Sequence, residues 1–262
     1  MKLRFSEPFY SVIKKIEQLQ EYDRYQSAYI FGSVVRGEQN KDSDLDVMVV
    51  VNENNDCKEI NHPIINGIKL DLTFRSIQQI RKINEEVVQK GERIPMLAES
   101  IIIFDKTGEL TQLKNRFKNI KRKKATKKDF HQIHFMLYHA DNKAKRNLKD
   151  DKPTAFLALS INLNDVLRFH YHINGKWWLS NKRLLPDLRK WDYKMAELIE
   201  KFVATSDLSR KYEVWSKILD HVAKPIGGRK EIKDINCGCR VCKRDLTLLQ
   251  KNLSRITKNN FN

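Results

Sequence analysis

The chain reads as an α+β protein: a small mixed-sheet domain over residues 1–118, followed by an all-α helical bundle over residues 119–262. Three observations predict this. Short apolar runs of β character are confined to the first part, where they alternate with helical patterns. From Asp129 onward the apolar residues recur only at helical spacing. The charge balance shifts at the same place. Residues 1–118 carry 18 basic and 18 acidic side chains, and residues 119–262 carry 32 and 15, so the whole formal charge of +17 falls in the second part.

The elements follow in order. Ser6 to Tyr22 is expected to be a helix, with Ser6 as N-cap, Pro8 in the first turn, and Phe9, Val12, Ile13, Ile16 and Leu19 on one face. The strand 28–31 stops at Gly32-Ser33, and a brief helical turn and a polar loop lead into the strand 45–51. Residues 64–74 form a hairpin turning at Asn66-Gly67, a strong two-residue turn signal. A helix from Ser76 to about Lys90 and a strand 100–104 complete the domain. Lys118–Lys128 holds seven basic residues in eleven positions and reads as a linker or a solvated helix start. Five helices are then expected: 129–148, 153–172, one centred on Leu188 to Phe202, one carrying Leu208 to Val222, and one carrying Leu246 to Ile256.

An apolar fraction of 40% supports a real core, and no segment approaches the roughly 18 consecutive apolar residues of a membrane span. Met1–Phe5 runs directly into an amphipathic pattern without the apolar stretch of a leader, so a soluble cytoplasmic protein, monomeric or homodimeric, is expected. The cysteines at 57, 237, 239 and 242 suit reduced thiols better than a disulfide framework.

The chemistry concentrates in Gly32-Ser33-Val34-Val35-Arg36-Gly37 and, within ten residues, Ser43-Asp44-Leu45-Asp46. Two carboxylates one residue apart at the mouth of a strand project to the same face. Together they repel unless a cation lies between them. Asp46 lies within an apolar run, where an uncompensated carboxylate is costly, and Asp71 sits between Leu70 and Leu72 in the same situation. Three acidic side chains beside a Gly-Ser turn are the parts needed to hold two Mg²⁺ ions and the phosphates of a nucleotide.

Gly32-Ser33, Arg36-Gly37, Ser43-Asp44-Leu45-Asp46 and Asp71, over about residues 25–105, resemble the DNA polymerase β-like nucleotidyltransferase superfamily. The layout with a following bundle, and Asn164 through Leu185, further resembles bacterial antibiotic nucleotidyltransferases acting on lincosamides and aminoglycosides. The resemblance implies metal-dependent transfer of a nucleoside monophosphate from an NTP (ATP is the expected donor) to an acceptor hydroxyl, with pyrophosphate leaving. It assigns Asp44, Asp46 and Asp71 to catalysis and to two Mg²⁺ ions. It assigns Gly32, Ser33, Arg36, Lys41 and Ser43 to the nucleotide. Such chemistry asks the protein mainly to position reactants and neutralise charge.

Other signals are weaker. Cys237, Cys239 and Cys242 offer three sulfurs in six residues, and a closed zinc site would need a fourth ligand from Cys57, His221 or a partner. Trp177 and Trp178 suit stacking on a planar group or burial in a core. Asp141, Asp165 and His139 are candidates for a base acting on the acceptor. The basic second part favours a neutral or anionic acceptor over a polycation, and RNA or a protein side chain is the alternative acceptor. A non-catalytic nucleotide- or nucleic-acid-binding module is the third reading.

Overall fold

The computed structural model describes residues 5, 7–40, 42–54, 59–91, 93–231, 233 and 239–259. They divide into two compact units, one of residues 1–122 with 177–179 and one of residues 123–176 with 180–262.

The first unit is built on a five-stranded mixed sheet. Its strands are β1 (Tyr25–Phe31), β2 (Leu45–Val51), β3 (Ile64–Ile65), β4 (Ile68–Arg75) and β5 (Ile101–Asp105), in the order β3-β4-β2-β1-β5. Only β2 and β4 pair in parallel. The apolar run of β2 is explained by burial on both faces. Leu45, Val47 and Val49 join Ala28, Ile30 and Leu70 under helix α1 (Phe9–Glu17) on one side. Met48 and Val50 join Tyr29 on the other, under α3 (Ile77–Lys90), α4 (Met96–Glu99) and α5 (Glu109–Lys118).

Several expectations need correcting. The first helix is shorter than its apolar pattern: α1 ends at Glu17 and a 3₁₀ turn, Gln18–Glu21, replaces its last turn, while Ser6 lies outside the described residues. Residues 109–118, given no element by periodicity, form α5. Its start is fixed by Asp105, whose carboxylate accepts from the Gly108 and Thr111 amides, the Thr111 hydroxyl and the Ser27 hydroxyl. Leu110, Leu113 and Phe117 of α5 are buried, an apolar stripe at helical spacing. The hairpin forms as expected, with Asn66 and Gly67 at φ of 51° and 78°.

The second unit is helical: α6 (Lys127–Asn147), α7 (Lys152–Ile173), α8 (Asn181–Trp191), α9 (Tyr193–Ala204), α10 (Leu208–Ala223) and α11 (Arg240–Asn259). The helix expected to run through Leu188 and Phe202 is two helices. Asp192 breaks it at φ −146° and ψ 72°, and its side chain caps α9 by accepting from the Met195 amide. Trp215 is fully buried and its ring meets Phe202, and Leu159, Val166, Leu188 and Met195 are fully buried in the same unit. Lys211, also buried, donates to the Phe202 and Thr205 carbonyls at 2.5 and 2.8 Å, which satisfies the end of α9.

His134 gives this unit a pH dependence. Its Nε2 lies 3.2 Å from the Ile226 carbonyl, and its buried Nδ1 has no hydrogen-bond partner among the described residues. Burial, then the charge of Lys230, hold its pKa below the ordinary 6.5. The unfolded chain therefore takes up this proton first, and stability should fall as pH drops below 6.5. Urea midpoints measured down a pH series should show that decline, and His134→Leu should make it shallower by the share of this one histidine.

Candidate active site

Strand register brings the predicted acidic residues together. Asp46 and Asp71 are direct partners on the parallel strands β2 and β4, so both side chains leave the same face. Across the other edge of β2, Asp46 pairs with Phe31, the last residue of β1. Gly32 follows at once and opens the short helix α2 (Gly32–Arg36) with φ of +79°. A Cβ at this glycine would stand 1.8 Å from Asp46 Oδ2. The glycine is thus required by the Asp46 carboxylate as well as by its left-handed backbone. Sequence reasoning gave it only the role of admitting a phosphate.

Asp44, just before β2, meets the group through Lys69. The Lys69 ammonium lies 3.2 Å from Asp44 Oδ2 and 3.3 Å from Asp71 Oδ1. These hydrogen bonds, the one to Asp44 foremost, raise the lysine's pKa. His62 Nδ1 lies 2.7 Å from Asp71 Oδ1. Burial pushes the Asp71 carboxyl up, but His62 and Lys69 outweigh it and hold the pKa below the usual carboxylate value. Asp71 is therefore an anion at neutral pH, suited to binding a cation.

Lys69 and His62 were missed, yet both were within reach. Lys69 is two residues from Asp71 on a strand and must share its face. The turn at Asn66-Gly67 sets Ile65 opposite Ile68 and Ile64 opposite Lys69, and the same count outward sets His62 opposite Asp71.

The remaining candidates lie nearby with varied commitments. Ser33 is buried in the first turn of α2. Arg36 Nε donates to Glu38 at 2.9 Å, and its Nη1 lies 3.8 Å from Glu99. Ser43 shapes the preceding loop: its hydroxyl accepts from the Asn40 amide and donates to the Asn40 side chain. Lys41 lies outside the described residues.

The donor set fits magnesium chemistry. Three carboxylates supply hard oxygen ligands, and the Lys69 ammonium between two of them already stands in for a cation. The carboxylates are not drawn into a tight three-ligand cluster, since Lys69 stands between Asp44 and Asp71. Among the described residues such a cluster occurs elsewhere, at His170, Asp192 and His221. Of the residues considered for zinc, Cys57 and Cys237 lie outside the described residues, while Cys239 and Cys242 are exposed at the start of α11. Asp141 accepts from Tyr212, Trp215 and Arg229. That network accounts for it as a structural anion. Trp177 and Trp178 are half-buried and belong to the first unit.

A mixed sheet with paired aspartates on its central strands, a third at the strand mouth and a Gly-Ser helix start alongside defines a nucleotidyltransferase domain. Comparison with known families agrees: residues 14–99 match the model described as polymerase beta, nucleotidyltransferase. Those residues form a nucleotidyltransferase domain of the DNA polymerase β-like superfamily. No curated protein matches the chain. Among solved structures, a nucleotidyltransferase-like protein from Exiguobacterium sibiricum 255-15 aligns at 15% identity and a TM-score of 0.47, covering 82% of this chain and 73% of that one. A toxin-antitoxin structure with AMP-PNP aligns at 15% identity and a TM-score of 0.26, covering 40% of this chain and 81% of that one. Neither overlap is close enough to argue from, and the assignment rests on the family match. No described helix is long and apolar enough to cross a membrane.

Proposed function

We propose that the chain transfers a nucleoside monophosphate, AMP from ATP, to a hydroxyl of a small antibiotic-like acceptor in the cytoplasm, with release of pyrophosphate. The observation that carries this reading is the facing pair Asp46 and Asp71, with Asp44 at the mouth of β2 and Gly32 leaving room for the Asp46 carboxylate. Asp44, Asp46 and Asp71 would hold the two magnesium ions. When bound, those ions supply neutralisation of the triphosphate and of the charge developing at the transferred phosphorus.

The chain's own residues do the rest. Asp71, kept ionised by His62 and Lys69, presents a fixed anion within β4, beside Asp46 of β2. Lys69 offers a mobile positive charge at the same place, able to follow a phosphate oxygen once the carboxylates are otherwise engaged. Ser33 and Arg36 on α2 are the proposed phosphate contacts, with Ser43 on the loop before Asp44 and Lys41, which precedes it in the sequence. The basic balance of residues 119–262 supports an acceptor that is neutral or anionic, and it is also what an RNA acceptor would require.

The test is Mg²⁺-dependent pyrophosphate release from each of the four NTPs with a panel of lincosamide, aminoglycoside, RNA and protein acceptors. Release should require Mg²⁺, favour ATP, and depend on a small hydroxyl acceptor. Release that appears only with RNA, at low salt, would transfer the assignment to the nucleic acid reading.

A further inference from the structure

The second unit holds a cluster that nucleotidyl transfer does not use. His170 lies in the last turn of α7, His221 in the last turn of α10, and Asp192 at the break between α8 and α9. His170 Nε2 and His221 Nε2 each lie 2.8 Å from the same oxygen, Asp192 Oδ2. All three ligand atoms fall within 4.8 Å of one another. The other oxygen, Asp192 Oδ1, is committed to the Met195 amide, so the carboxylate is held in one orientation. Trp191 stacks on the His170 ring at 5.1 Å and 15°, fixing its plane. His170 is buried, whereas His221 is 27% exposed and lines a cleft of about 700 Å³ between α9 and α10, with Glu197, Lys201 and Asp220.

We propose that His170, Asp192 and His221 bind one first-row divalent transition-metal ion of the zinc class, with the remaining coordination position open to this cleft. Two imidazoles and one carboxylate match the borderline ligand preference of such ions, as three aspartates match magnesium. Three protein ligands and a solvent-facing fourth position make an open site. Each imidazole would bind the ion through Nε2 and carry its proton on Nδ1. The competing reading is a metal-free pin, in which two histidines tie α7 and α10 to the α8–α9 break by hydrogen bonds alone. The two differ in metal uptake.

The full chain, stripped with chelator, is dialysed against Zn²⁺ or Co²⁺ and then against metal-free buffer, and bound metal is measured by mass spectrometry. One equivalent should remain. It should remain also in a chain with all four cysteines replaced by serine, and be lost in His221→Ala and in Asp192→Asn. The Co²⁺ form should show ligand-field bands without thiolate charge transfer, and added Zn²⁺ should raise the melting temperature of the wild type and leave that of His221→Ala unchanged. Retention of no metal, uptake abolished by the serine replacements, or uptake lost in Asp46→Asn and kept in His221→Ala would each overturn the proposal. Should the variants not fold, the Co²⁺ spectrum of the wild type decides, since thiolate bands contradict a histidine–carboxylate site.

Discussion

Asp46→Asn should reduce nucleotidyl transfer by roughly three orders of magnitude, about 4 kcal/mol of transition-state stabilisation, and leave the fold intact. The substitution keeps the volume and the strand. It removes the charge at the one position that faces Asp71 across the parallel pair and Gly32 across the turn. The stability consequence has the opposite sign from a usual core substitution. Two adjacent carboxylates on one face repel, so neutralising one should hold the melting temperature level or raise it. Pyrophosphate release measured beside a thermal melt separates the two readouts. A variant melting like the wild type yet turning over within about threefold of it would overturn the metal assignment.

The features read correctly from sequence were those fixed by short-range rules. Asn66-Gly67 sets its hairpin through two positive-φ residues, and the apolar run of β2 needed only burial on both faces. The aspartates stood out because a carboxylate inside an apolar strand demands a reason, and the register sets Asp46 beside Asp71. What was missed depends on long-range partners. Asp192 interrupts a continuous apolar pattern because histidines 22 residues before it and 29 after it both bind its side chain. Nothing in local periodicity announces that. Helix α5 owes its start to Asp105, whose partners include Ser27 from another strand. Gly32 was read as a phosphate contact, because its closest constraint, Asp46 Oδ2, comes from a strand 14 residues later whose approach the sequence does not display.

That constraint makes Gly32→Ala the sharper test of how the site is built. An added methyl at position 32 would lie 1.8 Å from Asp46 Oδ2 and 2.8 Å from its Cγ, so the carboxylate must turn away from Asp71 or the strand must shift. The φ of +79° adds a left-handed backbone cost of about 1 kcal/mol for any residue with a Cβ. Together the two should destabilise the first unit by about 1–3 kcal/mol and abolish transfer nearly as fully as Asp46→Asn, although no acidic group is removed. Gly108→Ala isolates the backbone share. Its φ of +77° is nearly the same and nothing lies within 4 Å of the new methyl, so it should cost only about 1 kcal/mol and keep transfer. The double variant Gly32→Ala/Asp46→Ala completes the argument, because shortening Asp46 removes the clash while the backbone cost stays. Its urea midpoint should recover toward that of Asp46→Ala alone, giving a coupling of about 1 kcal/mol or more between the two positions. Strict additivity would mean that the glycine answers to its backbone angle only, and that the Asp46 carboxylate does not depend on the space beside it.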